Sequence, residues 1–322
     1  MDTANLRSRW DAIVIGGGAA GLSAALLLGR ARRRTLVLDA GSPRNRFAAH
    51  MHGVLGNEGA PPLDLLRRGA EEAAGYGVVL RTAEAVAVRD EGDGLMVALD
   101  DGSEEQSRAL VVAAGITDDL PSIPGLAERW GTSVLHCPYC HGWEVRDRRL
   151  AVLATSPASL HQAKMVRQWS SDVVLFSHGL GSLDPVEERR LRARGVQIVT
   201  SPVAEIVGDE SSVSGIRTAD GAATAVDAVF TGGRPIPHDG FLDGLELARI
   251  DFPHGLGSFV QVDPAGRTSH PRIWAAGNVV SPMATVPMSI GAGAAAGAAV
   301  NGALVEEDFH LAEESSLAPA DR

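Results

Sequence analysis

Two cysteines separated by two residues are the groups in this sequence best suited to chemistry. Cys137 and Cys140 are the only cysteines among 322 residues, and they stand in the segment His136-Cys-Pro-Tyr-Cys-His141. The C-x-x-C spacing lets a disulfide close locally, and it lets one thiol act as nucleophile while the other resolves the mixed disulfide. In a reducing compartment, such a close pair is more often catalytic or metal-binding than a structural crosslink.

The two flanking histidines bear on the choice between redox chemistry and metal binding. A tetrahedral zinc site needs four ligands, no second C-x-x-C exists, and adjacent residues rarely converge on one ion. We therefore favour a redox pair and assign no metal, with a zinc-stabilised fold as the alternative. His141 follows Cys140 directly, and an ordinary histidine pKa of about 6.5 suits proton transfer to or from a thiol. His136 is a second catalytic candidate, although either ring could instead be a surface or packing residue.

A glycine-rich turn near the N-terminus predicts a dinucleotide site. Gly16-Gly-Gly18-Ala19-Ala20-Gly21 fits G-x-G-x-x-G, follows an apolar strand and opens an apolar helix. The first glycine makes the tight turn, the second lets the pyrophosphate approach the backbone, and the third lets the helix pack on the strand. The helix N-terminus attracts the phosphates. Asp39, at the end of the next strand, is placed to bind a ribose hydroxyl.

The remaining pattern predicts one α/β domain inserted into another. Stretches rich in Pro and Gly at 121–125 and 232–237 are the predicted linkers, and the last dozen residues are expected to form a frayed tail. Apolar periodicity places strands at 12–15, 35–38, 78–80, 85–88, 95–99, 109–113, 150–153, 173–176, 196–199 and 272–276, and helices at 19–30, 159–169, 187–194 and 288–305.

Charge and hydropathy exclude several classes of partner. The net charge of −11 argues against nucleic acid or an anionic membrane, because phosphate binding favours a basic surface. The long apolar runs at 12–29 and 273–305 are interrupted by glycine or proline, unlike a spanning helix. The first eleven residues are polar, unlike a secretory signal. We therefore expect a cytoplasmic protein.

The motif near the C-terminus indicates FAD. The segment Ile273-Trp-Ala-Ala-Gly277-Asn278, before a small-residue helix, resembles the second FAD motif of two-dinucleotide flavoproteins. There a Gly-Asp pair holds the ribityl chain, and the next helix points its N-terminus at the flavin. Asn278 replaces the aspartate here, but an amide can still hydrogen-bond a hydroxyl. The segment Val112-Ala-Ala114-Gly115 matches the motif that closes the first FAD segment. The resemblance also assigns to the FAD site Ala40, Arg46, His50, Ala85 and Val286.

The order of these motifs resembles the low-molecular-weight thioredoxin reductase family over nearly the whole chain. The resemblance implies an α/β fold of two Rossmann-like (three-layer ββα) dinucleotide-binding-type domains, with residues 1–117 and 237–322 forming the FAD domain around an inserted domain at 118–236. It also implies a homodimer, with Cys140 against the flavin and Cys137 exchanging with substrate. His141 falls where those reductases place an aspartate as proton donor. Residues 42–53 resemble a bacterial branch in which His50 approaches the flavin.

The inserted domain departs from the NADPH-using members of that family. Where they carry a second glycine motif, this chain reads Leu150-Ala-Val-Leu-Ala-Thr-Ser-Pro157, and Phe176-Ser-His-Gly179 replaces their phosphate-binding arginines. Cβ atoms and a proline would stand where the pyrophosphate must touch backbone. Tight nicotinamide binding is therefore not expected.

This combination is similar to the gliotoxin- and holomycin-type dithiol oxidases. The resemblance implies that a small-molecule dithiol is oxidised to its intramolecular disulfide and that O2 accepts the electrons as H2O2. Two alternatives stay open. One is a thioredoxin reductase driven by NADPH or ferredoxin, and the other is a non-catalytic flavin-dependent thiol sensor.

Overall fold

The computed structural model describes residues 9–317, which fold around two separate sheets, the first mainly parallel and the second wholly parallel. The helices are α1 (Ala19–Arg30), α2 (Pro62–Ala74), α3 (Pro138–His141), α4 (Ala158–Val166), α5 (Pro185–Ala193) and α6 (Val286–Leu317). The strands are β1 (Trp10–Ile15), β2 (Thr35–Asp39), β3 (Val79–Thr82), β4 (Ala85–Asp90), β5 (Leu95–Leu99), β6 (Glu104–Val112), β7 (Ile116–Asp119), β8 (Val134–Leu135), β9 (Leu150–Leu153), β10 (Val173–Phe176), β11 (Gln197–Val199), β12 (Val203–Gly208), β13 (Val213–Thr218), β14 (Ala223–Ala225), β15 (Ala228–Phe230), β16 (Arg234–Pro237), β17 (Arg249–Phe252), β18 (Gly257–Val260) and β19 (Ile273–Ala275). Short 3-10 helices lie at Ala127–Arg129, Gly240–Leu245, Pro253–Gly255 and Gly277–Val279.

The first sheet has the order β3-β2-β1-β6-β5-β4, and β19 pairs with the end of β6. Strands β1, β2, β3, β6 and β19 run parallel, whereas β4 and β5 join antiparallel at the other edge. The central strands are apolar and buried, as expected for parallel strands covered on both faces. Because β1, β6 and β19 all end at one edge, their following turns meet there.

The second sheet, in the order β11-β10-β9-β15-β8, is parallel throughout and lies in the segment between the two predicted linkers. A separate antiparallel sheet, β12-β13-β14, accompanies it. The two halves of the molecule are joined by an antiparallel ribbon of β7 and β16. The predicted domain boundaries, at 117/118 and 236/237, both fall inside this ribbon.

The last helix packs against the first across close backbone contacts. A side chain at Gly293 of α6 would overlap the carbonyl of Ala20, and one at Gly297 would meet the backbone of Ala24. Helix α6 is long and apolar enough to cross a membrane by length and composition alone, a test that core helices also pass. Its buried residues, including Ala296, Val300 and Leu304, line the core of the first sheet.

The structure confirms the strongly periodic elements and corrects others. Strands β2, β5, β9 and β10 and helix α1 lie at the predicted positions within a residue, whereas β1 begins two residues earlier than predicted, at Trp10. The prediction of a frayed tail was wrong for residues 311–317, which continue α6 as helix, and residues 318–322 lie outside the described chain. Helix α2 was missed; it buries only Pro62 and Ala73.

Candidate functional site

The glycine turn after β1 has the geometry that a bound dinucleotide requires. Gly16 has φ +104°, and a Cβ there would overlap the carbonyl of Ala113, at the end of β6. A Cβ at Gly21 would overlap the carbonyl of Gly16, so the helix packs on the turn only without a side chain. Gly18, by contrast, has open space where its Cβ would project. These three environments fit a pyrophosphate approaching Gly18 at the N-terminus of α1.

The carboxylate of Asp39 is anchored to the same turn. Its Oδ1 accepts a hydrogen bond of 2.9 Å from the backbone N–H of Gly17. Asp39 is half-buried at the end of β2, and Ala40 follows it at the surface. This anchoring fits a carboxylate held ready for ribose hydroxyls, with Ala19 and Ala20 beginning the helix beside it.

The two other predicted FAD segments reach the same edge of the sheet. Ala114 and Gly115 follow β6, and Gly277 follows β19. Gly277 has φ +79°, and a Cβ there would contact the side chain of Ala20. The residues thus fit an extended dinucleotide that runs from Asp39 past Gly18 towards Gly277. When bound, FAD would be held by these turns, although the individual roles stay predictions.

Asn278 is used differently from an aspartate at this position. Its Nδ2 lies 3.1, 3.3 and 2.9 Å from the carbonyl oxygens of Ser281, Pro282 and Ala284. A carboxylate has no proton to donate to these oxygens. The amide therefore closes the loop that leads from β19 to α6, and a contact between its Oδ1 and the flavin stays a prediction. Val286 begins α6 directly after this loop.

The other predicted FAD residues lie on the β2–α2 loop or in the core. Arg46 is exposed; it donates to the carbonyl of Pro43 and stacks on Phe47. The His50 ring hydrogen-bonds the carbonyl of Gly59 at 3.0 Å, within its own loop. Ala85 is buried in the core at the start of β4. None of these contacts reaches the glycine turn, so their assignment to FAD stays a prediction.

Arg44 is the residue of that loop that the sequence analysis missed. Its guanidinium makes a bidentate ion pair with Asp118, at 2.8 and 2.7 Å, and also donates to the carbonyl of Pro282. It therefore ties together the β2–α2 loop, the connecting ribbon and the loop that Asn278 closes. Arg44 and Arg46 are separated only by Asn45. Nothing in the sequence indicates which of the two side chains points inwards.

Cys137 and Cys140 are joined by a disulfide, with their Cα atoms 5.2 Å apart. Cys137 is the N-cap of the single turn α3, and its Sγ accepts a hydrogen bond of 3.2 Å from the backbone N–H of Cys140. Pro138 starts the turn, a position where its missing N–H costs nothing. A thiolate at Cys137 would keep that N–H donor, which stabilises the charged form.

The two histidines lie on either side of this turn in different surroundings. Burial lowers the pKa of His136, as does the nearby charge of Arg44, while Asp118 opposes the change. The buried Nδ1 of His136 has no hydrogen-bond partner. Burial also lowers the pKa of His141, and Glu144 opposes that change. Both rings are therefore favoured as neutral imidazoles near neutral pH, the form that accepts a proton.

Helix α4 holds the cysteine segment in place. Gln162 donates from Nε2 to the carbonyl of His136 at 2.7 Å. The rings of Tyr139 and Trp169 meet edge to face, with centroids 5.7 Å apart. A side chain at Gly142 would overlap the Trp169 ring. These contacts fix the backbone on both sides of the disulfide.

The turn after β9, where NADPH-using relatives carry glycines, is closed by its own side chains. Ser159 Oγ accepts hydrogen bonds from the backbone N–H groups of Thr155 and Ser156, at 3.1 and 3.4 Å. The Thr155 hydroxyl donates to the carbonyl of Gly232. Two backbone donors of this turn are therefore already occupied by the protein. His178 Nδ1 accepts from the backbone N–H of Val203, so it is also engaged.

Across residues 9–317, no group of three or more His, Cys, Asp and Glu side chains is placed to hold a metal ion.

Known proteins with the same architecture and sequence features identify the family. The family model for pyridine nucleotide-disulphide oxidoreductases matches residues 10–297. The chain is 30% identical over 309 residues to thioredoxin reductase tcpT of Claviceps purpurea, covering 92% of this chain and 94% of that protein. It is 28% identical over 313 residues to thioredoxin reductase sirT of Leptosphaeria maculans, covering 91% and 94%.

Solved structures agree over the same length. The crystal structure of HlmI is 43% identical, with a TM-score of 0.91 and 96% of both chains covered. An oxidoreductase from Agrobacterium tumefaciens is 36% identical, with a TM-score of 0.86, and covers 92% of this chain and 99% of that one. The predicted thioredoxin reductase-like fold is thereby confirmed. The chain belongs to the pyridine nucleotide-disulphide oxidoreductase family and is an FAD-binding disulfide oxidoreductase.

Proposed function

We propose that this enzyme oxidises a small-molecule dithiol to its intramolecular disulfide through Cys137 and Cys140, and that O2 is the final electron acceptor, giving H2O2. The observation that carries the proposal is the closed turn after β9. An intact FAD site and a disulfide are combined with a second dinucleotide position whose backbone donors are already bound by Ser159. Electrons then enter through sulfur rather than through NADPH.

The chemistry assigned to the chain is one thiol–disulfide exchange in two displacements. A substrate thiolate attacks Cys137, and the S–S bond to Cys140 breaks. The second substrate thiolate then displaces Cys137, so the substrate leaves as a cyclic disulfide and both enzyme cysteines are reduced. The N–H of Cys140 stabilises Cys137 as the leaving thiolate. Bound FAD supplies the two-electron acceptor for the reduced pair and its link to O2.

His141 is the proposed proton carrier of this exchange. It follows Cys140 directly, and its neutral form is favoured by burial. It can accept the proton of the attacking thiol and return it to the Cys140 thiolate, so the exchange needs no other acid. His136, whose Nδ1 is buried without a partner, is the second candidate.

The names of the fungal relatives favour a second function, reduction of thioredoxin. That reaction runs in the opposite direction and needs a reductant such as NADPH. It would require the Thr155–Ser159 turn to open for a pyrophosphate, with loss of the two hydrogen bonds to Ser159. For the dithiol oxidase proposed here, we also propose a cytoplasmic location and a homodimeric state.

Oxygen uptake tests the function directly. We expect the FAD-loaded protein to consume O2 continuously with a panel of small dithiols such as dithiothreitol, and to return half of that oxygen when catalase is added. Cys137→Ser should abolish uptake while FAD stays bound, because Cys137 lies outside the FAD-binding turns. Uptake that stops after one equivalent would support the thiol sensor instead. Loss of FAD on this change would show that the pair is structural.

A further inference from the structure

A row of titratable side chains connects the FAD domain to the cysteine segment and is used by none of the steps above. His52 lies on the β2–α2 loop, between Glu58 of its own loop and Glu144 of the inserted domain. Its Nδ1 is 2.7 Å from Glu58 Oε1, and its Nε2 is 3.6 Å from Glu144 Oε1. The row therefore crosses from one domain to the other beside the disulfide.

The loop that carries His52 is held in one shape. Met51 exchanges backbone hydrogen bonds with Gly59 and Ala60, and the side chains of Met51 and Val54 are buried. The second carboxylate oxygen of Glu58 accepts from the N–H of Gly53 at 2.9 Å. The side chain of His52 is only 21% exposed. The ring is thus fixed in position rather than free to sample the surface.

Glu144 lies three residues after His141 in the turns that continue α3, a spacing that brings side chains to the same side. Two members of the row, Glu144 and His52, act on the pKa of His141 with opposite sign. Glu144 raises the pKa of His141 and a positive His52 lowers it, while burial, the largest influence, lowers it. His141 in turn acts on His136, whose pKa is lowered first by burial and least by the charge of His141.

We propose that Glu144 and His52 are positioning residues that control proton transfer at His141 during thiol–disulfide exchange. Glu144 stabilises the imidazolium that forms when His141 accepts a proton from the substrate thiol. His52, in its protonated form, limits that stabilisation by offsetting the charge of Glu144, so that the proton is released again to the Cys140 thiolate. Glu58 orients His52 and connects the row to solvent, because its side chain is 65% exposed. This inference rests on the proposed function only in taking the exchange as the enzyme's reaction.

The test measures exchange without depending on FAD turnover. The holoenzyme is mixed anaerobically with dithiothreitol between pH 5.5 and 8.5, quenched with N-ethylmaleimide, and the fraction of alkylated Cys137 and Cys140 is read by mass spectrometry. Dividing the rate of a variant by that of the unchanged protein at each pH cancels the ionisation of the reagent.

Glu144→Gln and His52→Asn should tilt the plot of this ratio against pH in opposite directions. Without Glu144 the pKa of His141 falls, so His141 becomes a weaker base but stays neutral to lower pH. The ratio of the variant's rate to that of the unchanged protein should therefore be lowest at high pH, about one fifth. It should recover as the pH falls. Without His52 the pKa of His141 rises, so the ratio should be near one at high pH and should fall on acidification. A merely structural role would lower the rate without tilting the ratio.

Asp90→Asn is the matched control, since Asp90 pairs with His270 at 3.2 Å in the FAD domain, away from the cysteines. Its ratio should stay flat with pH. Flat ratios for both Glu144→Gln and His52→Asn, or tilts of the same sign, would overturn the inference. Failure of the proposed function is distinguishable, because it appears in the unchanged protein as absent oxygen uptake even when these tilts are seen.

Discussion

Asn278 illustrates at the scale of a single residue how a family motif can be altered without being lost. The amide donates to three carbonyl oxygens, and Arg44 donates to one of the same three, that of Pro282. An aspartate would place a negative charge among these oxygens with no proton to share. The asparagine therefore follows from the shape of this loop, which leads into α6 and the FAD site.

Asn278→Asp should destabilise the protein more than Asn278→Ala does. Both changes lose the amide hydrogen bonds, but only aspartate adds repulsion between its carboxylate and the carbonyls. We expect a loss in the free energy of unfolding of about 2–3 kcal/mol for aspartate and about 1 kcal/mol for alanine. Urea unfolding of the two variants, together with their FAD content after purification, measures this. Aspartate as stable as the unchanged protein would contradict the assigned hydrogen bonds.

Sequence patterns predicted the chemical groups of the candidate site but not the residues that support them. The glycines, Asp39 and the cysteine pair can be recognised in the sequence because local geometry, such as the tight turn at Gly16, fixes their spacing. Arg44 and Glu144 contact residues that are distant in the sequence. Ser159 acts through its hydroxyl, which is one among many serine hydroxyls in the chain. Nothing in the order of residues distinguishes such a side chain from its neighbours.

At the scale of the element, the C-terminal end of α6 shows where local sequence misleads. Its glutamates and serines predicted a frayed tail, yet residues 305–317 are helical. Glu307 accepts hydrogen bonds from Arg108 and Arg272, and Asp308 from Arg108 and Arg33. These arginines lie on or beside the first sheet, so the helix is held by charges that no local pattern reveals.

Arg108→Gln should cost about 2–3 kcal/mol of unfolding free energy at pH 7, because Arg108 is 10% exposed and bonds three carboxylates. Burial raises the pKa of Glu307 and Asp308, but the hydrogen bonds from the arginines outweigh it, so both values are lowered. Lowered carboxyl pKa values contribute stability above the unfolded-state values, about 4, and lose it as the pH falls through the folded values.

The effect of Arg108→Gln should therefore shrink between pH 7 and pH 3 in urea unfolding followed by circular dichroism. Arg217→Gln, which removes an exposed pair with Glu205, is the control and should change stability by less than about 1 kcal/mol at either pH. An Arg108 effect that is constant with pH would show that the carboxylates contribute nothing to it.

At the scale of the whole molecule, the order of motifs predicted two Rossmann-like units with one inserted in the other. It could not predict how the units meet. Their contact is made by pairs far apart in the chain, such as Arg44 with Asp118 and His52 with Glu144. A side chain at Gly131 would overlap Phe47, so the β2–α2 loop lies directly on the inserted domain. These contacts hold the segment that carries the disulfide beside the FAD domain.

The proposed direction of electron flow rests on this contact together with the turn after β9. With the disulfide beside the FAD domain and that turn closed by Ser159, sulfur is the route that we propose for the arriving electrons. The central claim is thus that dithiols, and not pyridine nucleotides, reduce the bound FAD.

Anaerobic mixing in a stopped-flow spectrophotometer tests that claim most directly, with the visible absorbance of bound FAD as the signal. We expect a dithiol such as dithiothreitol to bleach the flavin in a reaction that Cys137→Ser abolishes. NADPH at the same concentration should leave the absorbance unchanged in both proteins. Rapid bleaching by NADPH, in the unchanged protein or in Cys137→Ser, would contradict the account.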